Sequence, residues 1–130
     1  MSKGGVVFWC ALESEIPVRQ KIPETKQAVA IRHFDDGIYH HTVGCALRCK
    51  NGKIYKGVNC DGIHGSCAEY ITMGIAISAG EREFDTIVAV HEKATNGVIA
   101  PCGNCRQMLV EYCPDIKVIV NDDSGNLVKV

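Results

Sequence analysis

Two short segments carry sulfur in a pattern that suits a metal ion. They are Cys67-Ala68-Glu69 and Pro101-Cys102-Gly103-Asn104-Cys105, each placed where a helix should begin. A C-x-x-C spacing around a helix start aims both sulfurs at one point, and the positive end of a helix favours thiolates. Cys67 would bring a third sulfur from the other helix. Three protein ligands leave the fourth tetrahedral position of Zn²⁺ open for water, which is the catalytic arrangement. Glu69 stands two residues after Cys67. From there a carboxylate can take a proton from water at the metal without ligating it, and return that proton to a substrate nitrogen. Three thiolates leave a dication site net negative, and Arg106, next to Cys105, is the residue expected to offset that charge through hydrogen bonds to sulfur. The alternative is a closed structural site in which Cys60 or Cys113 supplies a fourth sulfur, leaving Glu69 and Arg106 without a role.

The elements that must hold these groups read as α-β-β-α-β-α-β. Residues 1–24 are the least legible, although Val6 to Trp9 suit a short strand. Thr25 suits the cap of a helix running to about Phe34. A buried strand over Thr42 to Cys49, a turn over residues 50–53 and a return strand over Ile54 to Asn59 make a hairpin, with Asn51-Gly52 signalling a two-residue turn. Gly62 and Gly65 mark a loop. Ser66 suits the N-cap of a helix from Cys67 to about Ala79, with Ala68, Ile71, Ile75 and Ile77 turned inward and Gly80 closing it. Phe84 to His91 is a continuous apolar strand. A second helix runs from about Cys102 to Tyr112 and stops before Pro114. Ile116 to Val120 and Leu127 to Val130 are the last strands, separated by a turn over residues 121–125. Helices alternating with apolar strands imply a mixed sheet with helices on both faces.

The 130 residues suit one domain, residues 1–130, and 46% hydrophobic content supplies a core. A net charge of −1 and the lack of a dense Lys/Arg run argue against nucleic acid as a partner. No apolar run approaches the roughly 20 residues that span a bilayer, so no membrane partner is expected. The first residues do not read as an export signal, and the cytoplasm is the expected compartment. In a reducing compartment, eight cysteines point to metal binding, catalysis or packing rather than disulfides. Cys45, Cys49 and Cys113 sit in apolar surroundings and read as core, and Cys60 is assigned to packing as well.

The joint pattern, Cys67-Ala68-Glu69 followed by Pro101-Cys102-Gly103-Asn104-Cys105-Arg106-Gln107, resembles the zinc-deaminase signature in its three-cysteine form. Val43-Gly44-Cys45-Ala46-Leu47, Gly52, Gly57 and Asn59 look like the first hairpin of cytidine deaminases. The resemblance covers roughly residues 25–130. It implies a three-layer α-β-α fold with a mixed central sheet. It also implies one Zn²⁺ on Cys67, Cys102 and Cys105, with Glu69 shuttling the proton. Backbone groups of Ser66 and Ala68 would hold the pyrimidine ring. Asn59 and Asp61 fall where the family contacts sugar hydroxyl, and His41 falls where a ring stacks on the base. Asp61 beside Gly62 also suits a turn former, and His41 a hairpin-start residue. A homotetramer is implied by the same resemblance.

The chain departs from cytidine deaminases at Tyr70, where an Arg often follows the Glu. Asp61 is one methylene shorter than the family's Glu, and the loop between Asn59 and Cys67 is short. In the short loop, in the missing Arg and in Pro114-Asp115-Ile116-Lys117-Val118-Ile119-Val120, the chain looks closer to blasticidin-S deaminases. The expected reaction is therefore deamination of a 4-amino-pyrimidin-2-one nucleoside, cytidine, deoxycytidine or a blasticidin-like compound. A deaminase acting within DNA or RNA would more often carry H-x-E and need a basic groove. The remaining alternative is a zinc-stabilised binding module without turnover.

Overall fold

The computed structural model describes Glu24, residues 42–91 and residues 97–130. The strand expected near residues 6–9, the helix expected over residues 25–34, and His41 lie outside the described residues. The described elements are β1 (Val43–Cys49), β2 (Ile54–Val58), α1 (Ala68–Ser78), β3 (Phe84–His91), β4 (Val98–Ile99), α2 (Gly103–Tyr112), β5 (Lys117–Asn121) and β6 (Leu127–Lys129).

β1 and β2 form the expected antiparallel hairpin, with Leu47 opposite Tyr55. Its reversal is a three-residue loop instead of the two-residue turn suggested by Asn51-Gly52: Gly52 N–H donates to Cys49 O at 2.9 Å and Cys49 N–H to Lys53 O at 2.8 Å. Gly52 takes a φ of 89° at the last loop position, a left-handed corner that glycine occupies without steric cost.

β3 is the central strand. β1 pairs antiparallel along one edge, with Leu47 opposite Ile87. The other edge is shared. β5 runs parallel to its first half, with Thr86 opposite Lys117, and β4 runs antiparallel to its last residues, with Ala89 opposite Ile99. β6 completes the order β2-β1-β3-β5-β6. This is the mixed sheet of an α/β fold.

Alternation along β1 and β3 divides the core. Cys45, Leu47, Cys49 and Ile87 pack against Ala68, Met73 and Ala76 of α1 and Met108 and Leu109 of α2. Both described helices therefore cover one face. On the other face Ala46, Val88, Val90, Val98 and Ile119 form a second buried cluster. Arg48 belongs to that side and forms ion pairs with the fully buried Glu24 and with Asp85.

α1 begins one residue later than expected. Cys67, not Ser66, is the N-cap, with extended backbone angles of −65° and 155° and no side-chain cap bond. Ser66 is held in the preceding loop by paired backbone bonds to Cys60, at 2.9 and 3.0 Å. The inward stripe is Ala68, Glu69, Thr72, Met73 and Ala76, a three-to-four spacing. Ile75, expected inward, is 42% exposed, so the helix is rotated toward its small residues. The hairpin demands this: a Cβ on Gly57 would lie 2.6 Å from Thr72 Oγ1 and 3.2 Å from the Thr72 nitrogen.

Candidate active site

The starts of α1 and α2 meet beyond the end of β3, and the expected sulfurs converge there. Cys67 Sγ and Cys102 Sγ lie 3.7 Å apart. With Cys105 Sγ they form a group whose ligand atoms all fall within 4.8 Å of one another. Tetrahedral coordination at Zn–S distances of about 2.3 Å separates sulfurs by about 3.8 Å, so the triangle fits one such ion. Among the described residues the group holds these three ligands and no fourth. Cys113 caps the far end of α2, and Cys60 stands on the cleft wall outside the group. The closed four-sulfur arrangement is therefore not formed.

The helix start is the largest source of charge stabilisation on the Cys102 sulfur, with the neighbouring Cys105 and Cys67 thiols assisting. Cys105 N–H donates to Cys102 Sγ at 3.5 Å. That donor, helped by Asn104 N–H, holds the Cys102 thiol below its ordinary value against its desolvation. Burial pushes Cys105 and Cys67 upward, and the carboxylate of Glu69 adds to both. A cation at the triangle reverses this balance, because coordinating thiols give up their protons. Arg106, expected to bond sulfur, is exposed and makes no hydrogen bond to the three sulfurs. Its guanidinium leans back over the helix start, 3.9 Å from the Cβ position of Gly103, and lines a separate apolar groove with Pro101 and Leu109.

Glu69 is 4% exposed, in the first turn of α1. Its location follows from the stripe that buries Ala68 and Thr72: the position after Ala68 faces the core edge, where α1 meets the sulfurs. Burial raises its carboxyl above the ordinary value, opposed by a backbone hydrogen bond. A carboxyl shifted this way, beside sulfurs that can hold a metal, is a candidate proton carrier.

The cleft above these groups has a volume of about 510 Å³, within the range of small-molecule sites. Its lining brings together Asn59, Asp61, Ser66, Cys67, Ala68, Glu69 and Cys102 of the expected residues. Val43, Ile99 and Ala100 also line it. The last two follow from β4, a strand of two residues that leaves no periodic signal. Cys60, assigned from sequence to packing, is exposed and lines the cleft. Its backbone is committed to Ser66, which turns the residue outward. Asn59 Oδ1 accepts from Val43 N–H at 3.0 Å, and Asn59 Nδ2 donates to Asp61 Oδ1 at 2.9 Å. Cys45, Cys49 and Cys113 are buried as expected, and desolvation drives all three thiols upward, Cys49 to about 12 and Cys113 to about 11. None of the described helices is long and apolar enough to cross a membrane.

Comparison with known proteins agrees with this geometry. A crystal structure of cytidine deaminase from Burkholderia pseudomallei superposes with a TM-score of 0.65 at 32% identity, covering 81% of this chain and 87% of that one. Blasticidin-S deaminase of Bacillus cereus is 40% identical over 105 residues, 74% of this chain and 73% of its own length. Cytidine deaminase of Halalkalibacterium halodurans is 35% identical over 92 residues, 68% of each chain. The family model for the cytidine and deoxycytidylate deaminase zinc-binding region matches residues 20–121. That span takes in every residue that lines the cleft, and the chain belongs to the family of cytidine and deoxycytidylate deaminases.

Proposed function

We propose that this chain catalyses hydrolytic deamination of a 4-amino-pyrimidin-2-one nucleoside, cytidine, deoxycytidine or a blasticidin-like compound, releasing the 4-oxo product and ammonia. Glu69 carries this reading. A buried carboxyl with a raised pKa sits in one cleft with a sulfur triangle of metal-binding dimensions. Cys67, Cys102 and Cys105 would hold one Zn²⁺, which when bound supplies the Lewis acid that makes a water nucleophilic near neutral pH. Glu69 takes one proton from that water and places it on ring N3 as the water oxygen bonds to C4. It then takes the second proton and delivers it to the exocyclic nitrogen. The C4–N4 bond breaks, ammonia leaves, and N3 keeps its hydrogen. Backbone groups of Ser66 and Ala68 would hold the ring, Asp61 would face the sugar side, and His41 would stack on the base.

The cytoplasm is the compartment this reading implies, since thiol ligands must stay reduced to hold a metal. Assembly into a homotetramer is part of the same reading, supported by the exposed Val110 and Tyr112 on α2. The test is an ultraviolet assay of the zinc-loaded protein on cytidine, deoxycytidine and blasticidin S, with Glu69→Ala as the control. Turnover of at least one compound by the parent protein, lost in the variant, supports the proposal. Retained zinc with no turnover of any 4-amino-pyrimidine would instead identify a non-catalytic zinc module.

A further inference from the structure

The second edge of β3 changes partner part-way along. β5 follows it at Thr86 and Ile87, opposite Lys117 and Val118. At Ala89 and Val90 the place is taken by β4. β4 is two residues long and takes its ladder from β3, so it lies beside β5 without a ladder to it. Asn121, the last residue of β5, crosses that gap: its Nδ2 donates to Val98 O at 3.1 Å. The residue that makes this bond is itself braced. Asn121 stands opposite Leu127 of β6. The turn that follows is closed by Asp122, whose Oδ1 accepts from Ser124 N–H at 2.9 Å and Asn126 N–H at 2.8 Å. The amide therefore ties a very short strand to a stiff hairpin.

What β4 carries gives the tie its importance. Ile99 and Ala100 line the cleft, and Cys102 follows them at the start of α2 with one of the three converging sulfurs. Pro101 between them has no N–H and cannot extend the ladder toward Cys102. We propose that Asn121 is a positioning residue of the active site: through Val98 it holds β4, so that Ile99 and Ala100 keep the cleft wall in place and Cys102 stays turned toward Cys67. Asn121 is not among the residues that line the cleft, and it acts through the strand. A misplacement of about 1 Å at a reacting centre can cost a hundredfold in rate, so support at this distance reaches the chemistry. The role of the wall rests on the deaminase reading, whereas the placement of Cys102 does not.

The experiment compares Asn121→Ala and Asn121→Asp with the parent. The first removes the donor, and the second faces Val98 O with a carboxylate that cannot donate. Val88→Ala, which opens a cavity in the cluster on the other face of the sheet, is the control for lost stability alone. Kinetics are read on the zinc-loaded proteins with the best substrate of the parent. The arrangement of the sulfurs is read from the visible bands of the Co²⁺-substituted proteins, which respond to ligand geometry. Both Asn121 variants are expected to keep one equivalent of metal, to lose about tenfold in kcat/KM and to shift the Co²⁺ bands. Val88→Ala should lower the urea midpoint at least as far and leave both readouts as in the parent. Unchanged bands with kcat/KM within about twofold in the Asn121 variants, or equal shifts in Val88→Ala, would overturn the proposal. A parent without turnover would fail the deaminase reading, and the Co²⁺ bands would still judge the tie.

Discussion

Cys67 and Cys102, 35 residues apart in sequence, hold their sulfurs 3.7 Å from each other. Neither helix alone could make this contact. It exists because α1 is drawn onto the hairpin through Gly57 and Thr72, while α2 packs Met108 and Leu109 into the same core cluster. The site is therefore a joint between two packed helices, and ion binding should tie the two together.

Metal removal should accordingly loosen the fold. Chelation is expected to lower the melting temperature by several degrees, and restoring one equivalent of Zn²⁺ should recover it. Cys102→Ser and Cys105→Ser should bind less than one equivalent and show little response to chelator. Differential scanning calorimetry with metal analysis checks both. A melting temperature indifferent to chelator would contradict the joint.

Glu69→Gln should separate chemistry from metal binding. The amide keeps the shape and removes the proton carrier. Turnover is expected to fall by about 10²- to 10⁴-fold with the metal content unchanged. Steady-state kinetics beside a zinc count decides the point, since a coincident loss of zinc would make Glu69 a structural partner of the site.

Gly57→Ala should damage the site from a distance. The added methyl would meet Thr72 Oγ1 at 2.6 Å and the Thr72 backbone at 3.2 Å. Pushing α1 off the hairpin should cost about 1–3 kcal/mol in urea unfolding and weaken metal affinity as Cys67 shifts. Unchanged stability would mean that the helix slides freely over the sheet.

Acid should release part of the second face. The Arg48 guanidinium, bonded to Asp85 at 2.7 and 2.9 Å, holds that carboxyl below its ordinary value, with Thr86 assisting. A carboxyl lowered by folding contributes stability above its unfolded pKa of about 3.9, and loses it as pH falls toward the depressed folded value. Asp85 is partly exposed, so the effect is small. Asp85→Asn should therefore be less stable than the parent at pH 6, and the gap should narrow by pH 3. Urea midpoints at the two values test this, and a constant gap would locate the contribution elsewhere.

The chemistry was more legible than its surroundings. Cysteines and a glutamate at helix starts are read from residue type and spacing, because metal geometry tolerates few alternatives. The limits of β3 also matched, since a long apolar run between polar turns leaves little freedom. Ile75 was misplaced because a helix rich in apolar residues has no single obvious inner face, and the close approach at Gly57 selects one. Arg106 stands exposed beside the sulfurs without bonding them, while the Cys105 N–H that reaches Cys102 belongs to the backbone and leaves no trace in residue type. β4 was missed because two residues carry no period.

The rim loop holds one last consequence. Its frame is fixed by the Cys60–Ser66 pairing and by Gly65, where a Cβ would fall 2.7 Å from Cys60 O. Its tip projects into solvent: Ile63 is 98% exposed and His64 is exposed beside it. Variation at these two positions can reshape the entrance while the reaction centre stays put, which gives selection a way to retune which molecules are admitted without rebuilding how they are processed.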